Sequence, residues 1–346
     1  MVTSIAIYKG MVKLQIRSRA PLRISFGGGG TDISPYPEEE GGMVLNVTID
    51  KYTNVFLMPR QDKLVNIKTL DYQMEATTTI ESCDFNGELD LIKAAVSQMK
   101  PPGGMDLLLS SDAPPGSGLG TSSAMTVAVL AALAYWGKRK LLPEELAETA
   151  FFVERKKAHI EGGRQDQYAA VFGGLNWMEF FGERTVVQPL SVEPTILSEL
   201  QSRLLLCYTG LTRRSDLIIQ QQLRTYTENR GETVRILDEI KDVALQMKKE
   251  LLKGNLEEFG SLLDDGWMMK KKLCRAITNP QVEELYFVAK RHGALGGRIL
   301  GAGGGGYFLF FCAKDKKSFV AKKIEENGGK VEDFRFTFQG VQVLWR

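Results

Sequence analysis

The segment Pro114-Pro115-Gly116-Ser117-Gly118-Leu119-Gly120-Thr121-Ser122-Ser123 runs directly into Ala124-Met125-Thr126-Val127-Ala128-Val129-Leu130-Ala131-Ala132-Leu133-Ala134, an apolar stretch that reads as a buried helix. Glycines let backbone N–H groups come close to an anion, and a helix that starts at such a loop adds unpaired amide donors and the positive end of its dipole. Phosphate oxygens are stabilised there without a lysine. The spacing predicts a helix from about Ser122 to Tyr135 with a nucleotide-phosphate site at its start.

Two other glycine runs bear on the reading: Gly27-Gly28-Gly29-Gly30-Thr31-Asp32, and Gly301-Ala302-Gly303-Gly304-Gly305-Gly306. A Walker A loop needs Gly-Lys-Ser/Thr at its end, and Gly120 is followed by Thr121-Ser122, so that class is excluded. Gly301, Gly303 and Gly306 satisfy the dinucleotide fingerprint, but Tyr307-Phe308-Leu309-Phe310-Phe311-Cys312 reads as a strand where a helix is required. The first run joins two alternating segments, Leu22/Ile24/Phe26 and Leu45/Val47/Ile49. It is too long for a tight hairpin and is expected to wrap a ligand, with Arg23 and Asp32 at its ends serving phosphate and hydroxyl.

Length and charge narrow the classes. At 346 residues the chain is long enough for two cores, and 44 Lys+Arg against 42 Asp+Glu leave a net charge of +2 with no basic stripe, which argues against nucleic acid as a partner. Cys83, Cys207, Cys274 and Cys312 are scattered without a C-x-x-C pair and read as reduced thiols of a cytoplasmic protein. No apolar run is long enough to span a membrane or serve as a secretory leader, and residues 1–10 are expected to be an extension ahead of the first strand. With two histidines in all, His159 and His292, proton transfer falls to a carboxylate. The polar stretch 183–200, carrying Pro189 and Pro194, marks a boundary between residues 1–190 and residues 191–346, and the pattern as a whole predicts an α+β fold whose second half is an αβ sandwich ending in a strand at 341–345.

In fixed order, Pro21-Leu22-Arg23-Ile24-Ser25-Phe26 with its glycine loop, the Pro114–Ala124 loop and Ile299-Leu300-Gly301-Ala302-Gly303-Gly304-Gly305-Gly306 resemble the GHMP kinase superfamily. Within it, Arg23 to Asp32, Tyr208-Thr209-Gly210-Leu211-Thr212-Arg213 and Phe334-Arg335-Phe336 resemble the heptose 7-phosphate kinases, which are similar in turn to fucokinases. The resemblance implies a two-domain fold, the N-terminal part like domain 2 of ribosomal protein S5 and the C-terminal part ferredoxin-like. It also implies ATP at Pro114, Gly116, Ser117, Gly118, Leu119, Gly120, Thr121, Ser122 and Ser123, and Mg²⁺ held by Ser122 and Glu154. Asp166 then stands beside the acceptor hydroxyl and Arg23 stabilises the charge that develops. On the residues alone Glu154 reads as a solvated helix carboxylate and Asp166 as the cap of a helix from Gln167 to Phe172, while for Arg23 a surface ion pair is the alternative role.

Gly29, Gly30, Thr31 and Asp32 are expected to meet the sugar, and Gly303, Gly304 and Gly305 to close over it. A phosphate already on the sugar calls for a further cation, with Arg213, Arg214 and Lys51 as candidates. The implied partners are ATP and a small sugar phosphate, bound by a monomer or homodimer.

Overall fold

The computed structural model describes residues 15–71, 73–82, 85–212 and 215–345. Residues 1–10, Cys83, Arg213 and Arg214 lie outside them.

The alternating opening produces two long paired strands, β1 (Ile16–Gly27) and β2 (Gly42–Pro59), with the first glycine run and a short helix α1 (Tyr36–Glu39) between them. Next come β3 (Leu64–Thr69), β4 (Glu75–Thr79), α2 (Asp90–Met99) and β5 (Met105–Ser111). The proline-glycine loop then leads into α3 (Thr121–Trp136). Helix α4 (Pro143–Phe152) widens into a π-helical turn, Val153–Lys157, and α5 (Gln165–Phe172) precedes the hairpin β6 (Leu175–Phe181) and β7 (Arg184–Pro189).

The second half holds α6 (Pro194–Arg203), β8 (Leu204–Tyr208), α7 (Ser215–Glu228), α8 (Arg230–Lys253), α9 (Leu256–Leu273) and α10 (Pro280–His292). It ends with β9 (Ala294–Ile299), β10 (Tyr307–Cys312), α11 (Lys317–Glu326), β11 (Lys330–Glu332) and β12 (Gln342–Trp345).

Two sheets organise these elements. One runs β12-β1-β2-β5-β3-β4, with β6 and β7 continuing from β2; the other is antiparallel in the order β11-β8-β10-β9. Three features depart from the sequence expectations. Residues 64–69 and 75–79, where no element was expected, pair as strands. Residues 194–203 form a helix, because Pro194 supplies a ready first turn and Leu200 packs into the core. The last strand, β12, leaves the second half and pairs with β1, while Thr337 N donates to Thr48 O at 2.9 Å. The chain therefore ends in the first sheet rather than in the second-half sandwich.

The second half of β1 also differs from a one-sided strand. Leu22, Ile24 and Phe26 are fully buried, and Arg23 and Ser25 on the opposite face are buried as well. Helices α3 and α5 from the first half and α8 and α9 from the second all pack on β1, so both of its faces are covered. Helix α3 sits centrally, with Val127, Ala128, Val129 and Leu130 fully buried, which explains its near-continuous apolar sequence.

Candidate active site

The three glycine runs meet at one cleft between the halves. Gly116, Gly118 and Gly120 have φ of 69°, 90° and 76°, the left-handed region that glycine enters at little cost. Gly120 caps α3 without any side-chain bond, so the first-turn amides of Thr121, Ser122 and Ser123 are left for a ligand, and all three residues line the cleft. Leu119 and Ser117 are fully buried, so they shape the loop through packing and backbone; Leu119 O accepts Arg23 N at 3.0 Å. Pro114 lies with Pro115 and Thr212 on an adjoining depression.

The Gly301–Gly306 run serves the phosphate loop more than the ligand. A Cβ at Gly306 would stand 2.2 Å from Ser117 O, and one at Gly118 would stand 2.4 Å from Leu300 O. Tyr307 N donates to Ser117 O at 2.8 Å, so the two runs stack backbone on backbone. Gly301 and Ala302 line the cleft. Gly303, Gly304 and Gly305, expected to close over the sugar, instead pack on Ile277 and Leu211, and Gly304 N donates to Ile277 O at 2.7 Å.

Asp166 lies in the first turn of α5, where it caps nothing; its carboxylate turns toward β1. Arg23 holds it in a two-point pair, Nε to Oδ1 at 2.6 Å and Nη2 to Oδ2 at 2.8 Å, and donates its remaining Nη1 to Gly118 O. One guanidinium thereby fixes the carboxylate relative to the phosphate loop. Arg23 is buried, whereas Asp166 keeps an exposed edge facing the cleft.

Asp32 is buried beside it. Its oxygens accept Gly30 N, Gln165 Nε2 and Gln165 N, each at 3.1 Å, and burial followed by the nearby Asp166 pushes its pKa up. A Cβ at Gly163 would sit 1.9 Å from Asp32 Oδ2, so this close approach requires glycine. Thr31 does not reach the cleft: its hydroxyl donates within the loop to Gly28 O at 2.8 Å and also lies 3.0 Å from Met43 O. It holds the loop that presents Gly29, Gly30 and Asp32.

Glu154 is buried, not solvated. The π-turn, marked by Ala158 N donating to Val153 O at 2.9 Å, aims it inward; π-turns commonly sit at functional sites. Ser123 Oγ donates to Glu154 Oε2 at 3.0 Å and Arg155 Nη1 lies 3.3 Å from the same oxygen, while Glu154 Oε1 is buried with no partner among the described residues. Burial raises the Glu154 pKa, and Arg155 opposes the rise. Ser122, exposed at the start of α3, lines the same wall. An orphaned carboxylate oxygen and a free hydroxyl suit Mg²⁺, which takes one or two protein oxygens and completes its shell with phosphate and water.

Two cations in the cleft were not singled out from the sequence. Lys270 and Arg298 are almost fully buried and both line it. Lys270 Nζ donates to Gly301 O, and Arg298 Nη1 donates to Phe26 O at 2.7 Å. Burial, then the positive charge of Arg298 and Arg23, drives the Lys270 pKa well below that of a free lysine; burial, then Arg23, lowers Arg298 to about 10. Helical period offered a signal for Lys270, since Phe259, Leu263, Trp267, Lys270 and Leu273 share one stripe of α9, all buried. Arg298, preceded by two glycines on a buried strand, offered none. Lys51 pairs with Glu332 at 2.8 Å away from the cleft, and Arg213 lies outside the described residues.

Comparison with known proteins agrees with this geometry. The GHMP kinases N terminal domain matches residues 90–174 and the GHMP kinases C terminal domain matches residues 247–330. The chain is 36% identical over 340 residues to D-glycero-alpha-D-manno-heptose 7-phosphate kinase of Campylobacter jejuni, a match covering 96% of this chain and 99% of that protein. It is 30% identical to L-fucokinase/L-fucose-1-P guanylyltransferase of Bacteroides fragilis over 87% of this chain and 35% of that protein. A crystal structure of a D-glycero-D-manno-heptose 1-phosphate kinase from Bacteriodes thetaiotaomicron superposes with a TM-score of 0.80 at 31% identity, covering 95% of this chain and 98% of that one. With both domains matched in order and a relative aligned along almost its whole length, the chain belongs to the GHMP kinase family.

Proposed function

We propose that this protein is an ATP-dependent kinase that transfers the γ-phosphoryl group to the anomeric hydroxyl of D-glycero-D-manno-heptose 7-phosphate, giving the 1,7-bisphosphate. The observation that carries the reading is the Arg23–Asp166 pair, which joins a carboxylate to the phosphate loop at the start of α3. The sugar class follows from the relatives that share most of the chain.

The loop amides and the α3 N-terminus hold the ATP phosphates, and Glu154 and Ser122 would hold Mg²⁺, which when bound neutralises charge on the phosphate oxygens. Gly30 and Asp32, which line the same cleft, meet the sugar hydroxyls; a buried carboxylate that accepts hydroxyl donors rejects analogues lacking them. Asp166 orients the acceptor hydroxyl through its exposed edge and takes its proton, each carboxylate oxygen having a lone pair left after Arg23 is bonded. Arg23 spreads the charge that moves onto the acceptor and keeps both reactants in register.

Among the described residues no helix is long and apolar enough to cross a membrane. The reading places the enzyme in the cytoplasm, where ATP is available, as a monomer or homodimer. ADP release measured with heptose 7-phosphate, L-fucose, galactose and mevalonate tests it. The expected result is a kcat/KM for heptose 7-phosphate at least ~10² above the others. A preference for fucose would overturn the substrate assignment and favour a fucokinase.

A further inference from the structure

In the corner of the cleft behind Gly29 stand two cations without a direct ion pair among the described residues. Asp166 is matched by Arg23 and Glu154 by Arg155, whereas Lys270 and Arg298 form no ion pair with a carboxylate among the described residues. Asp32, the carboxylate that interacts electrostatically with Lys270, already accepts three N–H bonds. A buried ammonium and a buried guanidinium without a counter-charge are costly to keep, and a fold that retains both at a cleft wall is arranged for an anion arriving from outside.

The polar atoms around them point the same way. Arg298 Nε and Ser25 Oγ are buried with no partner among the described residues. Gly29 explains where a ligand would fit. Its φ lies outside the left-handed region, and a Cβ there would meet only ordinary contacts: Gln165 Nε2 at 3.5 Å, Ser25 Oγ at 3.5 Å and Arg298 Nη2 at 3.7 Å. Neither backbone conformation nor crowding demands glycine at this position. The missing side chain leaves a gap whose rim consists of polar side-chain atoms, in the same cleft that the start of α3 lines.

We propose that Lys270 and Arg298, with Ser25 and the gap at Gly29, form the site for the phosphate that the acceptor sugar already carries. A phosphomonoester dianion placed there accepts from the Arg298 fork, the Lys270 ammonium and the Ser25 hydroxyl, and supplies the charge that the two cations lack. The depressed Lys270 pKa fits such a site, because a dianion alongside favours the ammonium form. The pair would set the preference for a sugar phosphate over a free sugar. This assignment rests on the sugar-phosphate kinase reading.

Steady-state kinetics on wild type, Lys270→Met and Arg298→Met, with D-glycero-D-manno-heptose 7-phosphate and with the unphosphorylated heptose, test it; Arg298→Lys serves as the charge-retaining control. The expected result is a fall of roughly 30-fold or more in the ratio of kcat/KM for the phosphorylated over the free sugar in each Met variant, carried by KM, with partial recovery in Arg298→Lys. Calorimetric titration without ATP should show heptose 7-phosphate binding weakened by about 10-fold or more in both Met variants, at unchanged ATP affinity. Equal losses for both sugars, or losses in kcat alone, would assign the pair to the transferred phosphoryl group or to the fold and overturn the proposal. If wild type itself shows no preference for the phosphorylated sugar, the kinase assignment to a sugar phosphate fails first, and that outcome is visible before any variant is made.

Discussion

At the scale of single residues, the cleft contains groups whose chemistry depends on neighbours distant in sequence. Asp166 could have been a helix cap; its two-point contact with Arg23, a bond that reaches across from β1, makes it a positioned carboxylate instead. Asp166→Asn keeps the shape and loses the proton acceptor, so turnover should drop by ~10² or more while calorimetry finds ATP affinity within a few-fold of wild type. Near-normal turnover in that variant would rule out Asp166 as the base. Lys270 gives a pH prediction. Its folded-state pKa lies well below 10.5, so between the two values the unfolded chain binds more protons, and stability rises as pH climbs through that window. Urea melts of the ligand-free enzyme at about pH 7 and about pH 9.5 should show this rise, and it should be shallower in Lys270→Met, which should also melt about 2 °C or more higher at neutral pH because no charge is buried. Arg23, Asp32 and Asp166, which line the cleft, had been singled out, Asp166 through the family resemblance. Lys270 and Arg298 were not read, since a lysine among lysines and an arginine in a strand look like surface residues until the fold buries them.

At the scale of elements, the phosphate loop and its helix were legible because a glycine-rich segment and an apolar helix are both local signals, and α3 extends from Thr121 to Trp136 close to expectation. What the second glycine run does was not legible. Its glycines let two backbones touch, a demand made by β10 and the loop before α3 together. Gly118 illustrates the constraint, with φ at 90° and a Cβ position 2.4 Å from Leu300 O. Gly118→Ala should therefore destabilise the protein by about 1–3 kcal/mol and raise the KM for ATP, as thermal melts and kinetics would register. An alanine variant with wild-type ATP affinity would show that the loop tolerates displacement. The π-turn at Val153–Lys157 was also invisible to helical periodicity; the inserted residue that widens the turn is what sends Glu154 inward.

At the scale of the whole molecule, one buried cluster joins the two halves, beside a second cluster around Trp267 and Phe308 that belongs almost wholly to the second half. Phe26 on β1 packs edge-on against Phe259 of α9 with ring centroids 5.3 Å apart, and the same buried cluster includes Leu204, Met247 and Leu251 from the second half. Calorimetry should accordingly record one cooperative transition, and residues 1–190 alone should not fold stably. Deleting residues 336–346 removes β12 and the Thr337–Thr48 contacts, exposes an edge of β1, and should lower the melting temperature by roughly 10 °C. Two separate transitions would show that the boundary near residue 190 divides independent units.

The sequence by itself determined the α+β class and the helix that starts at an amide-lined loop, because glycine patterns, apolar periods and helix starts act over a few residues; the reaction roles of Glu154, Asp166 and Arg23 were pointed to only by the family resemblance. The tertiary structure alone decided that three glycine runs converge, that the Thr31 hydroxyl bonds within its own loop, and that Lys270 and Arg298 face the cleft with no carboxylate ion pair among the described residues. Those outcomes depend on which surfaces are withdrawn from water together, and no local stretch of chain encodes that.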